Sequence, residues 1–210
     1  MTRKGRGRFV ALEGIDGVGK STLARVLART LRRQGWSVAV RREPADPRLG
    51  ALAQRAAAED AWTGAVYFTV DRHLALAGLE RDLRRFDVVL QDRSYFSTLA
   101  YQGSALSARD RRRLTELEES ATRTPDRVVL LDLDPADAVR RLGRRSLRRG
   151  PLEQLRTLRR VAKAYRALAR AHGWQVLDAR GSPQDLARAV VGRLGLEGSA
   201  KARSAGRRRR

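Results

Sequence analysis

Short apolar runs alternate along the chain with longer stretches in which apolar residues recur every three or four positions. The runs are compact, several are rich in valine, and charged or turn residues bound each of them, which is typical of strands buried in a parallel sheet. We therefore predict five strands. They are Arg8–Leu12, Ser37–Val40, Val88–Leu90, Val128–Leu131 and Gln175–Leu177.

The segments between these runs have helical periodicity, and turn residues mark several of their ends. Gly35 follows the first segment, where glycine commonly ends a helix, and Pro135 and Pro183 stand near the starts of two others. Strands that alternate with helices predict an α/β fold, a five-stranded parallel sheet flanked by helices. The predicted helices are Lys20–Gln34, Leu49–Ala61, Ala65–Arg84, Ala108–Ala121, Ala136–Arg145, Leu152–His172 and Gln184–Leu194.

The composition adds a large positive charge, because 45 Lys and Arg face 23 Asp and Glu for a net charge of +22 over 210 residues. Such a surplus predicts attraction to polyanions, which include nucleotides and nucleic acids. The chain has no cysteine, which excludes disulfides, thiolate zinc sites and cysteine nucleophiles. No apolar run approaches the roughly 18 residues of a membrane span, so we expect a cytoplasmic protein without a membrane partner.

The ends of the chain lack apolar periodicity and are rich in Gly, Ser and Arg. We therefore expect a disordered basic N-terminus over residues 1–7 and a disordered basic tail over residues 196–210, which can bind polyanions nonspecifically. Nothing between them resembles a linker, so residues 8–195 are expected to form a single domain.

The strongest motif runs from Gly14 to Ser21 and fits the phosphate-loop pattern G-x-x-x-x-G-K-[ST] at every fixed position. It follows the first predicted strand and opens the first predicted helix, as such a loop requires. Its glycines let the backbone approach phosphates, Lys20 brings a positive charge, and the Ser21 hydroxyl can ligate Mg²⁺. The motif predicts a P-loop NTPase fold that binds ATP through Gly14, Ile15, Asp16, Gly17, Val18, Gly19, Lys20, Ser21 and Thr22.

Beyond this loop, the chain resembles the thymidylate kinase family of P-loop nucleoside monophosphate kinases over about residues 8–195. The matching motifs occur in the family's order: Phe9–Thr22, Arg42–Pro44, Phe68–Arg72, Asp92–Gly103, Pro125–Asp126, Leu131–Pro135 and Asp178–Ala179. The resemblance implies an enzyme that transfers the γ-phosphate of ATP to dTMP with Mg²⁺, forming dTDP, and that works as a homodimer packed through its long helices.

Three of these residues follow or end predicted strands, where open α/β sheets place their ligands. Arg42 and Arg93 are expected to hold the acceptor phosphate in line with the donor. Asp92 is expected to reach a water bound to Mg²⁺, and we take Lys20, Arg93 and Asp92 as catalytic.

The resemblance also implies how the acceptor nucleotide is held. Asp16 accepts a hydrogen bond from its 3′-hydroxyl, Phe68 stacks on the pyrimidine ring, and Arg72 bonds the edge of the base. Tyr101 and Gln102 pack beside the sugar and base, where Tyr101 disfavours a 2′-hydroxyl.

The family supplies a further arginine to the transferring phosphoryl group either from the phosphate loop or from a lid. Because the loop position is Gly17 in this chain, we expect the charge to come from a short Arg-rich lid at about residues 143–152. The candidate catalytic residues of this lid are Arg144, Arg145, Arg148 and Arg149.

The chain departs from the family's usual pattern at Ser94, where Tyr or His is common, and over Ala45–Pro47, where Gly-Gly-Thr is common. These departures leave open a deoxynucleoside kinase or another nucleotide kinase of the same fold. A kinase acting on a 5′-hydroxyl needs a general base, for which Glu13 and Asp92 are candidates. A nucleic-acid-binding P-loop ATPase is the alternative from another class.

Replacing the four lid arginines together with alanine should lower turnover about 1,000-fold or more, since an arginine on the transferring group contributes that much. Steady-state kinetics would measure the loss. Replacing the four arginines at 207–210 with alanine removes the same charge from the tail and should leave turnover unchanged. Intact turnover in the lid variant would contradict the assignment.

Overall fold

The five strands form one parallel sheet, as the sequence predicted. Their order across the sheet, which the sequence did not predict, is Val38–Arg42, Val88–Asp92, Arg8–Glu13, Arg127–Asp132 and Gln175–Asp178. A computed structural model describes residues 7–142 and 151–196. Most strands continue past the predicted apolar runs into polar residues, because the ladder pairs Leu12 with Asp92 and Arg42 with Asp92. The strands are β1 (Arg8–Glu13), β2 (Val38–Arg42), β3 (Val88–Asp92), β4 (Arg127–Asp132) and β5 (Gln175–Asp178).

Helices connect the strands and cover both faces of the sheet, and one 3₁₀ turn spans Gly103–Ala105. The bounds of the helices follow the predicted ones within a few residues at most ends. They are α1 (Lys20–Arg33), α2 (Pro47–Glu59), α3 (Ala61–Arg85), α4 (Tyr95–Tyr101), α5 (Ala108–Ala121), α6 (Pro135–Leu142), α7 (Pro151–His172) and α8 (Pro183–Arg193).

Helix α4 was not among the predicted helices, although it carries residues of the site. All of its residues from Tyr95 to Ala100 are buried. A helix buried on every side has no polar face, so the period of about 3.6 residues on which the prediction rests is absent.

The predicted gap between the second and third helices lies too late in the chain. The break falls at Asp60, whose carboxylate accepts hydrogen bonds from the Thr63 amide and hydroxyl and so caps α3. Gly64 lies inside α3, where a Cβ atom would approach the Ala57 Cβ to 2.3 Å. This glycine therefore allows α2 and α3 to pack closely rather than interrupting a helix.

Strand β1 lies at the centre of the sheet and divides its side chains between the two helical layers. Val10 and Leu12 belong to a buried cluster with α1 and α8, while Phe9 packs with Leu79 and Leu83 of α3. Because alternate residues of a strand point to opposite faces, one apolar run supplies both cores. This double burial explains why the central strands β1, β3 and β4 form continuous apolar runs in the sequence.

The fold includes one residue from each predicted tail. The Gly7 amide donates to the Leu83 carbonyl at 2.6 Å, and Leu196 is fully buried. Residues 1–6 and 197–210, and residues 143–150 with the four candidate arginines of the lid, lie outside the described residues. Within the part of the chain that the structure describes, no helix is long and apolar enough to cross a membrane.

Replacing Leu27 with alanine should lower the free energy of unfolding by about 2–5 kcal/mol, the usual range for a large side chain removed from a core. Leu27 is 0% exposed, in the layer between α1 and the sheet. Chemical denaturation would measure the change. Arg29→Ala, on the exposed face of the same helix, should be close to neutral, and equal losses for the two variants would contradict this packing.

Candidate active site

The strand order reverses between the neighbouring strands β1 and β3, because the chain leaves β1 toward β2 on one side and leaves β3 toward β4 on the other. Open α/β sheets bind ligands at such a point, beyond the carboxyl ends of the strands. The phosphate loop occupies this position between β1 and α1. Helix α1 begins at Lys20 behind Gly19, and no side chain of the described residues caps its first turn. Its amide groups are therefore available to an anion.

Two glycines of the loop cannot be replaced without moving the backbone. A Cβ atom on Gly14 would lie 2.5 Å from the Leu131 carbonyl oxygen, and one on Gly17 would lie 2.6 Å from that of Ala138. Both residues have positive φ angles, 140° and 87°, that L side chains rarely adopt. The loop thus has no room for an arginine at Gly17, which agrees with the expectation that the additional charge comes from elsewhere.

Lys20 is buried at the base of the loop. Its Nζ donates hydrogen bonds of 2.9 Å to the Gly14 and Ile15 carbonyl oxygens. Burial and the nearby positive charge of Arg93 together lower the pKa of Lys20 to about 8, against the pull of surrounding carboxylates. Its positive charge is therefore lost at a mildly alkaline pH.

Ser21 and Asp92 meet beside the loop, as the metal-site prediction requires. The Ser21 hydroxyl donates to Asp92 Oδ2, and Asp92 Oδ1 is buried without a hydrogen-bond partner among the described residues. A hydroxyl and a carboxylate oxygen of this kind suit Mg²⁺, which takes few protein ligands and keeps several waters. No group of three or more His, Cys, Asp or Glu that could hold a metal occurs in residues 7–142 and 151–196.

A cavity of about 900 Å³ opens next to the phosphate loop, between α2, α3, α4 and α7. Six of the seven predicted acceptor-binding residues line it: Asp16, Phe68, Arg72, Arg93, Tyr101 and Gln102. Arg42 does not line this cavity. It is exposed at the end of the edge strand β2, so the structure does not bring it to the predicted acceptor site.

Arg93 connects the wall of this cavity to the phosphate loop. Its Nη2 donates to Asp16 Oδ1 at 2.5 Å, and its guanidinium lies 5.2 Å from the centre of the Tyr101 ring. The Tyr101 hydroxyl donates to Asp16 Oδ2 at 3.0 Å and accepts from the Asp16 amide. Burial raises the pKa of Asp16, but the charges of Arg93 and Lys20 outweigh it and leave the pKa below its usual value. Asp16 is therefore an ionised acceptor at neutral pH.

Arg72 is held by acids that come from two other parts of the chain. Its Nε donates to Glu43 at 2.8 Å, and its Nη1 donates to both Glu118 oxygens at 2.7 and 2.9 Å. Its Nη2 donates to Thr98 at 3.2 Å, so four of its five N–H groups are used. Burial raises the pKa of Glu43 to about 7 even though Arg72 opposes the shift.

Sequence reasoning missed the role of Glu118, which is 0% exposed on α5. In the sequence it is one of three glutamates within four residues and looks like part of a solvated face. Its burial could have been inferred from its spacing of four residues from Leu114, because this spacing places both side chains on one face of the helix. Other missed residues line the cavity from α2 and α7: Gln54, Arg55, Thr157, Leu158 and Arg160.

The unusual Ala45–Pro47 segment has a structural role at the cavity mouth. The amides of Ala45 and Asp46 each donate to the buried Asp71 carboxylate at 2.7 Å. The Asp46 carboxylate in turn caps α2, whose first residue is Pro47. The departure from the family's pattern therefore leaves a firmly bonded loop.

The affinity of the chain for ATP should fall as the pH rises through about 8, because Lys20 then loses the charge that faces the phosphates. Calorimetric titration of ATP at several pH values would measure the fall. Lys20→Arg is the matched control, since arginine stays protonated in this range. A fall of the same size in that variant would assign the titration to another group.

Comparisons with known proteins agree with this geometry. The family model described as thymidylate kinase matches residues 12–190. A thymidylate kinase of Leifsonia xyli is 38% identical over 199 residues, covering 90% of this chain and 94% of that protein. A thymidylate kinase of Nitratidesulfovibrio vulgaris is 34% identical, covering 88% of this chain and 90% of that protein. A "Probable thymidylate kinase" of Sulfurisphaera tokodaii is 32% identical, covering 88% of this chain and 94% of that protein. The chain therefore belongs to the thymidylate kinase family.

Proposed function

We propose that this chain transfers the γ-phosphate of ATP to dTMP, releasing ADP and dTDP. The observation that carries the proposal is that the phosphate loop and the Arg93–Asp16 pair face one cavity, large enough for a nucleotide. Membership of the thymidylate kinase family supports the same reaction.

The phosphate loop binds the donor. The amides of the loop and of the first turn of α1 contact the phosphate oxygens, and Lys20 moves from its carbonyl partners to the β- and γ-phosphates. Ser21 and Asp92 would hold Mg²⁺, directly and through a bound water. That ion would supply positive charge to the phosphate oxygens.

The acceptor brings its own nucleophile, because a monophosphate is already ionised at neutral pH. An oxygen of its phosphate attacks the γ-phosphorus, the bond from that phosphorus to the bridging oxygen breaks, and ADP leaves. Arg93 holds the attacking phosphate in line, while Asp16 keeps the guanidinium oriented. The protein therefore contributes positioning and charge rather than a general base.

The geometry favours a monophosphate over a nucleoside as the acceptor. A nucleoside would need a carboxylate in the cavity to take the proton of its 5′-hydroxyl. Neither Glu13 nor Asp92 lines the cavity. Three other carboxylates of the described residues do, but each already accepts hydrogen bonds within the protein. Asp16 accepts from Arg93 and Tyr101, Glu43 from Arg72 and Gln91, and Asp71 from the amides of Ala45 and Asp46.

A turnover assay with ATP and Mg²⁺ tests the proposal against its alternatives. dTMP should stimulate release of ADP and yield dTDP, whereas thymidine, other monophosphates and DNA should stimulate it little. Turnover with thymidine would assign a nucleoside kinase, and release of ADP stimulated by DNA without an acceptor would assign an ATPase.

Replacing Phe68 with alanine should raise the KM for dTMP about 5- to 150-fold, which corresponds to the loss of about 1–3 kcal/mol of base stacking. The KM for ATP should stay the same, because Phe68 lies on the acceptor side of the cavity. Phe68→Tyr keeps the ring and should keep the KM for dTMP near its original value. An unchanged KM in Phe68→Ala would refute the stacking role.

We further propose a homodimer that packs through α3, the longest helix described. Val70 and Leu74 lie four residues apart on its outer face and are 42% and 67% exposed. Such a stripe gains stability when a second copy covers it. Sedimentation should give twice the mass of the chain, and Leu74→Arg should give the monomer.

We also propose that the lid arginines supply charge to the transferring phosphoryl group and that the protein is cytoplasmic. The lid is tested by the fourfold alanine variant. Cell fractionation followed by assay of dTMP kinase activity tests the location.

A further inference from the structure

Glu13 is a buried carboxylate for which the proposed reaction has no direct use. It ends β1, immediately before the phosphate loop, and is 0% exposed. Its Oε1 accepts from the Ser94 amide at 2.6 Å and the Ser94 hydroxyl at 2.7 Å. Its Oε2 accepts from the hydroxyls of Ser97 at 2.7 Å and Tyr165 at 2.9 Å. Both oxygens are thus fully occupied by neutral donors.

The contact with Ser94 acts on the backbone of the preceding residue. Arg93 has a φ angle of 77°, in the left-handed region that arginine rarely adopts. Its amide donates to the Leu12 carbonyl, and its own carbonyl accepts from Gln91. Glu13 holds the next residue, Ser94, by both backbone and side chain, so the turn is fixed on either side of Arg93.

The contacts with Ser97 and Tyr165 act on the guanidinium itself. Arg93 Nη1 donates to the Ser97 hydroxyl at 3.0 Å and to the Tyr165 hydroxyl at 3.4 Å. Each of these hydroxyls donates its own proton to Glu13, which leaves oxygen lone pairs directed at Arg93. The carboxylate therefore orients both acceptors on which the guanidinium rests.

The small residue at position 94 follows from this arrangement. Ser94 is 1% exposed, donates twice to Glu13, and accepts from the Phe96 amide at the start of α4. The hydroxyl of serine thus joins the carboxylate to the N-terminus of the helix that carries Ser97. The side chain that departs from the family's usual pattern is bonded into the support of Arg93.

We propose that Glu13 is a positioning residue for phosphoryl transfer, and that it acts by holding Arg93 in its left-handed turn and aiming the guanidinium into the cavity through Ser94, Ser97 and Tyr165. This inference rests on the proposed function. It assigns Tyr165 of α7 a supporting role in the same network. It also excludes Glu13 as a general base, because neither oxygen is left for a substrate proton.

Glu13→Gln tests the proposal, because in either orientation the amide group of glutamine faces hydroxyl or amide donors of the network. We expect kcat/KM for dTMP to fall about 100-fold, the scale of loss that a displaced positioning group causes. At a pH well below 8, where Lys20 keeps its charge, the Kd for ATP should be unchanged, since Lys20 bonds to the Gly14 and Ile15 carbonyls and not to Glu13 or Arg93. A kcat/KM near the original value would overturn the proposal.

A double-mutant cycle separates positioning from a general structural loss. If Glu13 acts through Arg93, Glu13→Gln should lower kcat/KM little further, less than about threefold, in an Arg93→Ala background. Equal losses in both backgrounds would overturn the proposal. Thermal melting of each variant confirms that the proteins compared are folded.

Tyr165→Phe tests the same network if Glu13→Gln fails to fold. It removes one hydroxyl from the network and should lower kcat/KM for dTMP about tenfold, with little further loss in the Arg93→Ala background. Tyr95→Phe is the matched control. Tyr95 is as deeply buried as Tyr165 but stacks on Phe96 outside the network, so its variant should keep full activity.

The NMR signal of the Arg93 guanidinium gives a readout that is independent of turnover. Its restricted rotation should be lost in Glu13→Gln and Tyr165→Phe and retained in Tyr95→Phe. Unchanged rotation in both network variants would overturn the positioning role. If the guanidinium of Arg93 loses its restricted rotation in both network variants as expected, but the unaltered protein does not phosphorylate dTMP, the proposed function is refuted and the positioning network is not.

Discussion

The parallel pairing of β1 with β3 on one side and β4 on the other is the constraint from which the site follows. Leu12 pairs with Asp92, and Glu13 pairs with Leu130. This register brings the end of β1, the phosphate loop and the end of β3 to the same edge of the sheet. Because a loop leaves each strand there, the reversal of strand order opens a crevice between them. The phosphate loop therefore forms part of the wall of the cavity.

Charge burial at this edge is balanced by a set of linked pairs. The half-exposed Asp16 faces the largely buried Arg93, and the buried Arg72 lies between Glu43 and Glu118. A buried charge without a partner would be strongly unfavourable, whereas hydrogen-bonded pairs can be tolerated and hold their side chains in one geometry. The site thus obtains fixed guanidinium groups from interactions that contribute little net stability. Orientation is what these pairs supply.

The sequence was informative wherever chemistry depends on neighbours along the chain. The phosphate loop is such a case, since its glycines, Lys20 and Ser21 lie within eight residues and their roles follow from the local backbone. The three central strands were also visible, because burial on both faces makes each of them an uninterrupted apolar run. Helix α4 was not predicted, because a helix is recognised by its amphipathic period and burial on every side removes that period.

What the sequence by itself determined was the α/β sheet, the phosphate-loop motif and six residues that the structure brings together in the wall of one cavity. The tertiary structure alone decided which cationic side chains of the described residues are fixed in the cavity wall and by what. Arg72 depends on Glu118, which is 46 residues away, and Arg93 depends on Tyr165, which is 72 residues away. Arg42 matched the family's motif but lies outside the cavity. No local pattern records such pairings, because they arise only when strand order and helix packing bring distant segments together.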